Sequence, residues 1–281
     1  FRTFTMYTEN DFLTTSKVLE RTYKFAFSKK ADTHGLQLSQ NINLSFKQSF
    51  KDTSGFEIKI AHKSSGNNDL LTRGSALAPF VKFGQGGNYS LMYYGKQDAR
   101  WSYWMYLSRD RQSLQSFTTT SNNIALGGYY YPSDNIKFGI HLGKYNTKNW
   151  LNWLEDNRLG TYPLDYFSFK ANATWFPKEK HELRIKFQTN IMQTETGNEW
   201  LADSTGNLNS ANSSAAGFDL GQLAFQVRYK YEISPLSHFY AVYTRGGRHY
   251  EDDDVNVSEI ISRTWDNPKE DRFTLKLRMK F

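Results

Sequence analysis

An all-β chain, folded as a transmembrane antiparallel β-barrel of the outer-membrane type, is what three features of this sequence predict. Apolar and polar residues alternate strictly over stretches long enough to cross a bilayer as tilted strands. The connections between those stretches alternate between short and long. Aromatic residues are abundant, with 21 Phe and 18 Tyr among 281 residues, and they gather near the short connections.

The alternation is clearest at the C-terminus, where Phe273, Leu275, Leu277, Met279 and Phe281 fall on one face and Arg272, Thr274, Lys276, Arg278 and Lys280 on the other. Working backwards, Leu223 to Ile233 alternates with Gln222 to Glu232. Leu183, Ile185 and Phe187 oppose Arg184, Lys186 and Gln188, and Phe167 to Trp175 opposes Ser168, Lys170, Asn172 and Thr174. Ile136, Phe138, Ile140 and Leu142 continue the pattern, as do Trp101 to Leu107, Phe56 to Ile60 and Ile42 to Phe46. The first stretch is Phe1 to Thr8. About thirteen strands result, each of roughly 9 to 13 residues, as a tilted membrane strand requires.

Short connections are expected at Asn10 to Thr14, Lys51 to Gly55, Lys96 to Ala99, Pro132 to Asn135, Pro177 to Lys180 and Ser234 to Ser237. Longer or more polar ones are expected at Lys29 to Gly35, Lys63 to Pro79, Asp110 to Ser116, Thr147 to Asp165, Thr194 to Gly217 and His249 to Pro268, with the Asn-rich segment Asn207 to Ser214 as a loop tip. Short periplasmic turns and long extracellular loops are the habit of outer-membrane barrels. An odd strand count leaves the first visible strand running inward from outside the cell. Residues 1–281 are therefore expected to be the C-terminal portion of one barrel of sixteen or more strands, with N-terminal strands and any periplasmic domain absent.

Composition bounds the rest. The mean hydropathy of −0.68 and the lack of any long apolar run exclude membrane helices but not membrane strands, which hide their polar residues in the lumen. With no cysteine there are no disulfides and no thiolate metal sites. The net charge of +7 suits anionic partners, outer-membrane lipid and lipopolysaccharide among them. Basic residues alternate with apolar ones instead of forming a stripe interleaved with stacking rings, so no nucleic-acid partner is expected.

Several segments resemble a family of outer-membrane proteins of unknown function that carry a family-9 carbohydrate-binding-module-like domain ahead of a barrel. They are Glu9-Asn10-Asp11-Phe12, Asn68 to Gly74, Leu154 to Gly160, Phe225 to Glu232 and Phe239 to Gly247. The resemblance implies that an N-terminal periplasmic domain and the first part of the barrel precede this chain. It implies no settled activity. The strand ending on Phe281 likewise resembles the signal read by the barrel assembly machinery.

Period two assigns a lumen face: Lys47, Lys59, Lys137, Lys170, Arg184, Lys186, Arg228, Lys230, Lys276, Arg278 and Lys280, with Glu57, Glu182 and Glu232 as scattered acids. Such a wall favours anionic solutes, and Lys170, Arg184, Lys186, Arg228, Lys230, Lys276 and Arg278 are the expected transport charges. Tyr129, Tyr130, Tyr131, Trp175 and Phe176, with Tyr93 and Tyr94, are expected to form an aromatic girdle. The acidic run Glu251-Asp252-Asp253-Asp254 lacks the spacing of a calcium loop and reads as solvated surface. His249, beside it, marks a rim where a hydrolase could place a His and acid pair, and His141 lies mid-strand on the lumen face. No nucleophile can be tied to either, so no catalytic residue, metal or cofactor is assigned. The expected function is an outer-membrane pore with a basic lumen. The alternative is a non-conducting barrel that anchors a carbohydrate-binding-like domain and contacts partner envelope proteins.

Overall fold

The computed structural model describes residues 2–12 (backbone alone), 18–31, 35–72, 76–78, 80–97, 100–252 and 255–280. The elements in chain order are β1 (Arg2–Phe12), β2 (Val18–Ala31), β3 (Gln37–Phe50), β4 (Gly55–Lys63), β5 (Gly66–Asn68), β6 (Val81–Tyr94), β7 (Trp101–Leu114) and β8 (Thr118–Ser133). They continue with β9 (Ile136–Glu155), β10 (Arg158–Lys178), β11 (His181–Thr194), β12 (Gly197–Ala202), β13 (Leu208–Ala215), β14 (Asp219–Ser234), β15 (Ser237–Glu251), α1 (Val257–Asp266) and β16 (Pro268–Arg278).

All strands join one sheet, and each pairs antiparallel with its neighbour in the order β1-β2-β3-β4-β6-β7-β8-β9-β10-β11-β14-β15-β16. β5 pairs β6, while β12 pairs β10 and β13. Thirteen strands lie on the continuous path, as the alternation predicts. Among the described residues, no pairing joins β1 to β16, and no helix is long and apolar enough to cross a membrane. The latter says nothing of strands.

Register fixes two faces. One cross-strand row runs Trp101–Tyr130–Phe138–Ala173–Ile185–Val227–Tyr243–Phe273. The residues between these point the other way and are mostly polar, with a set of aromatic rings among them. Many side chains of the apolar face are open: Leu44, Ile60, Trp101, Ile124, Phe138 and Phe273 are 46–65% exposed.

This apolar belt slants across the strands. The row Phe25–Leu44–Ile60–Tyr89 is apolar on β2 to β6, then continues as Arg109–Asn122–Asn146–Asp165–Gln193–Asp219 on β7 to β14. The upper limit of the belt is Phe27 on β2 and Phe273 on β16. The drop is about ten residues, or ~33 Å along the strands, over roughly 50 Å of sheet width at ~4.8 Å per strand. The belt is thus inclined by about 30° to the rows, close to the strand tilt of closed barrels.

Four connections differ from expectation. Asp110 to Ser116 is not a loop: β7 runs to Leu114, and only residues 115–117 separate it from β8. Thr147 to Asp165 is a hairpin, since β9 and β10 continue upward to a two-residue turn in which Asp156 takes φ 42°. Thr194 to Gly217 forms the β12–β13 hairpin, so the Asn-rich segment is a strand. His249 to Pro268 contains α1. In the first three cases local pairing continues beyond the belt, because alternation there is carried by polar and aromatic residues that read as loop.

These upper hairpins pack on each other. Leu159, Ala202 and Leu208 meet Val81, Ala78 and Leu114, with Trp200, Phe117 and Leu151 around them. Lys82 donates its backbone N–H to Gly206 O at 2.8 Å, and Ser116 Oγ donates to Leu208 O at 2.8 Å. The helix α1 lies against β14 and β15, capped by Asn256, whose side chain accepts from Glu259 N. Its fully buried Ile260 and its Thr264 sit over Gly221 and Gly247. A Cβ at Gly247 would stand 2.2 Å from Thr264 O.

Two outcomes follow from this packing. Gly247→Val should unseat α1, since overpacking costs about 1–3 kcal/mol and so short a helix holds little structure alone. Tryptic cleavage after Arg263 should then rise about tenfold, on an occupancy change of ~1.4 kcal/mol per decade; unchanged cleavage would refute the docking. At the β12–β13 tip, Asp203 accepts from Thr205 Oγ1 at 2.7 Å and from Asn207 N at 3.0 Å. These bonds pull its carboxyl from the ordinary 3.8 to about 2. A depressed folded pKa stabilises fully above the unfolded value and is lost as pH falls through the folded one. Hydrogen-exchange protection of the Asn207 amide should therefore survive to about pH 3 and vanish near pH 2, a loss that Asp203→Asn reproduces at neutral pH.

Candidate functional site

The polar face carries the chemistry, and register brings the expected charges to it. Lys170 lies opposite Gln188, Lys186 opposite Asn172, and Arg184 opposite Thr174 on one side and Arg228 on the other. Lys230 lies opposite Glu182 and Tyr240, Tyr240 opposite Lys276, and His238 opposite Arg278. All seven share one face, from β10 to β16.

Arg184 and Arg228 would repel each other as direct cross-strand partners. Glu182, one of the few buried acids of the sheet, settles between them: it pairs with Arg184 and accepts from Arg228 Nη2 at 2.8 Å. Lys59 with Glu57 (3.1 Å) and Lys63 with Asp110 (2.8 Å) neutralise part of β4 in the same way. Lys186, Lys230 and Lys276 have no ion pair among the described residues. Their charge is uncompensated within this wall.

Aromatic residues on this face are densest on β7 to β10, with Tyr94 on β6 and Tyr240 and Tyr250 on β15 besides. Trp104 lies across Gly127 from His141, its ring centroid 5.2 Å from the imidazole. Tyr145 is paired with Tyr166, and Trp150 with Tyr162. Phe218 reaches the Tyr162 ring at 5.8 Å and stacks on Tyr250 at 5.6 Å.

The expected girdle is split. Tyr130 stacks on Trp101 at 4.1 Å on the apolar face, and Trp175 lies there in a row with Ile136, Leu183, Tyr229, Ala241 and Leu275. Tyr129 and Tyr131 face the opposite way, under Lys137, whose Nζ is 4.0 Å from the Tyr129 centroid. Consecutive residues of a strand cannot share a face, so the Tyr triplet contributes one ring to the apolar side and two to the polar one. Phe176 sits at the lower strand end, its N–H donating to Asn135 O at 2.9 Å. Tyr93 is on the apolar face and Tyr94 on the polar one. Phe281, Arg73 and Gly74, Asp253 and Asp254 lie outside the described residues.

His249, opposite Gly221, is on the apolar face beside α1. Its Nε2 lies 2.8 Å from Glu251 Oε1, and Arg263 engages the same carboxylate and also Glu259. Burial raises the Glu251 carboxyl, but the bonds from Arg263 and His249 outweigh it and hold it below the ordinary range. This group ties α1 to β15. Above the belt, Arg158 joins Glu199 to Glu155 across the β9–β10 turn, and both acids favour its charged form. No group of three or more His, Cys, Asp or Glu able to hold a metal occurs among the described residues.

What sequence reading missed is the aromatic strip of the polar face. Its signal was present in the even-numbered Trp104 and Tyr106 and in the Tyr129/Tyr131 pair. The eye, however, credits aromatics to the lipid side. No protein-family model matches the chain, and no curated protein matches it in sequence.

Glu182→Gln should destabilise the β11–β14 wall by about 1–2 kcal/mol, by leaving two opposed guanidinium groups with a neutral partner. Adding Arg184→Gln should recover most of the loss. Urea unfolding of the detergent-solubilised protein reads both, and equal stability of single mutant and wild type would remove the clamp from the account.

Proposed function

We propose that this chain forms the wall of a bacterial outer-membrane β-barrel and that the barrel conducts small anionic solutes along its basic face. One observation carries the reading: a largely exposed apolar belt on one face of the sheet, interrupted by Lys144 on β9 and slanted at a barrel-like angle, backed by a face rich in charge. On β14 the belt extends from Leu223 to Ile233, ~33 Å along the strand and about 27 Å in height once tilt is removed, which suits the apolar band of such barrels. A water-soluble sheet of this area would be covered on its apolar side.

In this reading the polar face lines an aqueous path. Uncompensated Lys186, Lys230 and Lys276 set a positive potential that concentrates anions and repels cations. The clamped Arg184 and Arg228 hold fixed positions in the wall. The family with a carbohydrate-binding-like N-terminal domain remains our proposed kinship, and lipopolysaccharide the proposed lipid contact. A second reading, a barrel that anchors such a domain without conducting, draws support from the packing of the upper hairpins over the tops of β6 to β8.

Conductance of the complete protein in a planar bilayer, under a salt gradient, separates the two. The pore reading expects steady conductance with anion selectivity. Replacing Lys186, Lys230 and Lys276 by Gln should lower the anion-to-cation permeability ratio by roughly two- to fivefold. A correctly folded but silent barrel would sink the pore and favour the anchor.

A further inference from the structure

The aromatic residues of the polar face form a ladder. Going up β9 in two-residue steps, the rows contain Tyr129 opposite Gly139, Trp104 in line with His141, Tyr106 in line with Gly143, and then Tyr145 opposite Tyr166. One further row, Thr147 with Leu164, leads to Trp150 and Tyr162 and to the Phe218–Tyr250 stack. The rungs are about 6.6 Å apart, so the strip runs along most of the sheet height.

The rings lie along the wall instead of standing from it. A Cβ at Gly127 would meet the Trp104 ring at 2.9 Å, and one at Gly139 would meet the Tyr129 ring at 2.7 Å. Glycine at these two positions of the polar face lets each ring lie flat over the neighbouring backbone, with Lys137 Nζ 4.0 Å from the Tyr129 centroid and the His141 ring 5.2 Å from that of Trp104. In the same rows stand hydrogen-bonding side chains, Asn123 beside Tyr145, Ser168 beside Gly143 and Asn172 beside Gly139, with Lys170 in the His141 row and Lys137 one row below Gly139. Flat ring faces at regular intervals, with donors and acceptors at their edges, match one ligand chemistry above others. A pyranose ring has an apolar face of C–H groups, which stacks on an aromatic ring, and a rim of hydroxyls that reaches donors and acceptors beside it. The basic sector on β10 to β16 adds a preference for sugars that carry acid groups.

We infer that the aromatic strip on β7 to β10 is a binding track for linear acidic oligosaccharides, which slide from ring to ring past Trp104 and Tyr166 with their carboxylates toward Lys170. The inference rests on the pore reading for transport, but binding to the track does not require conduction. Several weak, equivalent stations would suit passage: each holds the chain enough to enter and too little to trap it.

The test uses the complete protein, with oligogalacturonate as the acidic probe and a malto-oligosaccharide of equal length as the neutral one. In the bilayer, interruptions of the ion current by added sugar should give an affinity for oligogalacturonate that falls at least tenfold in Trp104→Ala/Tyr166→Ala. Lys170→Gln should weaken oligogalacturonate alone and leave the neutral sugar unchanged. Calorimetric titration of the same proteins in detergent reads binding independently of current. A silent barrel that still binds oligogalacturonate through Trp104 and Tyr166 keeps the track and loses the pore. A conducting barrel that neither sugar blocks or binds, or whose affinity ignores both substitutions, overturns the track. If the double variant loses the heat-dependent gel mobility of a folded barrel, Trp104→Leu and Tyr166→Leu, which keep bulk but not a ring face, replace it.

Discussion

Cross-strand register is the constraint on which everything else in this molecule depends. Because side chains alternate along each strand, a slip of one residue between any two neighbours would carry charges into the belt and apolar groups onto the charged wall. The structure guards against this in the middle of the sheet. Along the thirteen-strand path, the register shifts among the described residues lie toward the ends: Trp175/Lys178, Tyr130/Ser133, Glu232/Ser234 and Val18/Glu20 near the lower turns, and Phe83/Gly86, Arg158/Leu159, Tyr162/Leu164, Lys30/Ala31 and Gly246/Gly247 at or above the upper limit. Between them the ladder is uninterrupted. A shift near a strand end leaves its unpaired backbone groups where water or a turn can satisfy them.

Above the apolar belt the same sheet is built differently. The β9–β10 and β12–β13 hairpins, the start of β6 and the β7–β8 turn share a small apolar core. A glycine-lined seat holds α1 against the outside of β14 and β15, with an ion-pair network at its edge. Both features draw on polar residues outside the apolar belt: Asp203 closing a turn, Asn256 capping a helix, and Arg158 bridging two glutamates.

How much of this was legible depended on which signal a segment carried. Strands such as Leu223 to Ile233 declare themselves, because period two combined with strong hydropathy contrast has no other solution. The upper hairpins were hidden because their alternation has little hydropathy contrast: Asn209, Ser210 and Asn212 in β13 look like a loop whichever way they point. α1 was missed because its ten residues sit in a segment dominated by acids and turn formers. The Tyr129–Tyr131 triplet misled through composition, since three adjacent rings suggest one cluster while the pleat divides them. The segments that carry the family resemblance fall partly on turn chemistry: Asp156 is in a left-handed turn, and Asn68 Oδ1 accepts from the backbone of Leu70 and Leu71. Such motifs report hairpin geometry as much as ancestry.

The slant of the belt makes the molecule a screw and not a drum. Hydrogen-bonded partners in adjacent strands stand at different depths, so Arg245 can face Phe225 across β14 and β15 and yet lie at the rim beside Asp271. Depth accumulates at about one residue per strand. Gaining or losing a hairpin would therefore shift the level of the belt as well as the width of the sheet. A duplicated pair of strands would keep the belt level only if its turns also supplied about two residues of stagger, so in the barrel we propose growth in diameter would be tied to unequal lengthening of the loops at its two ends.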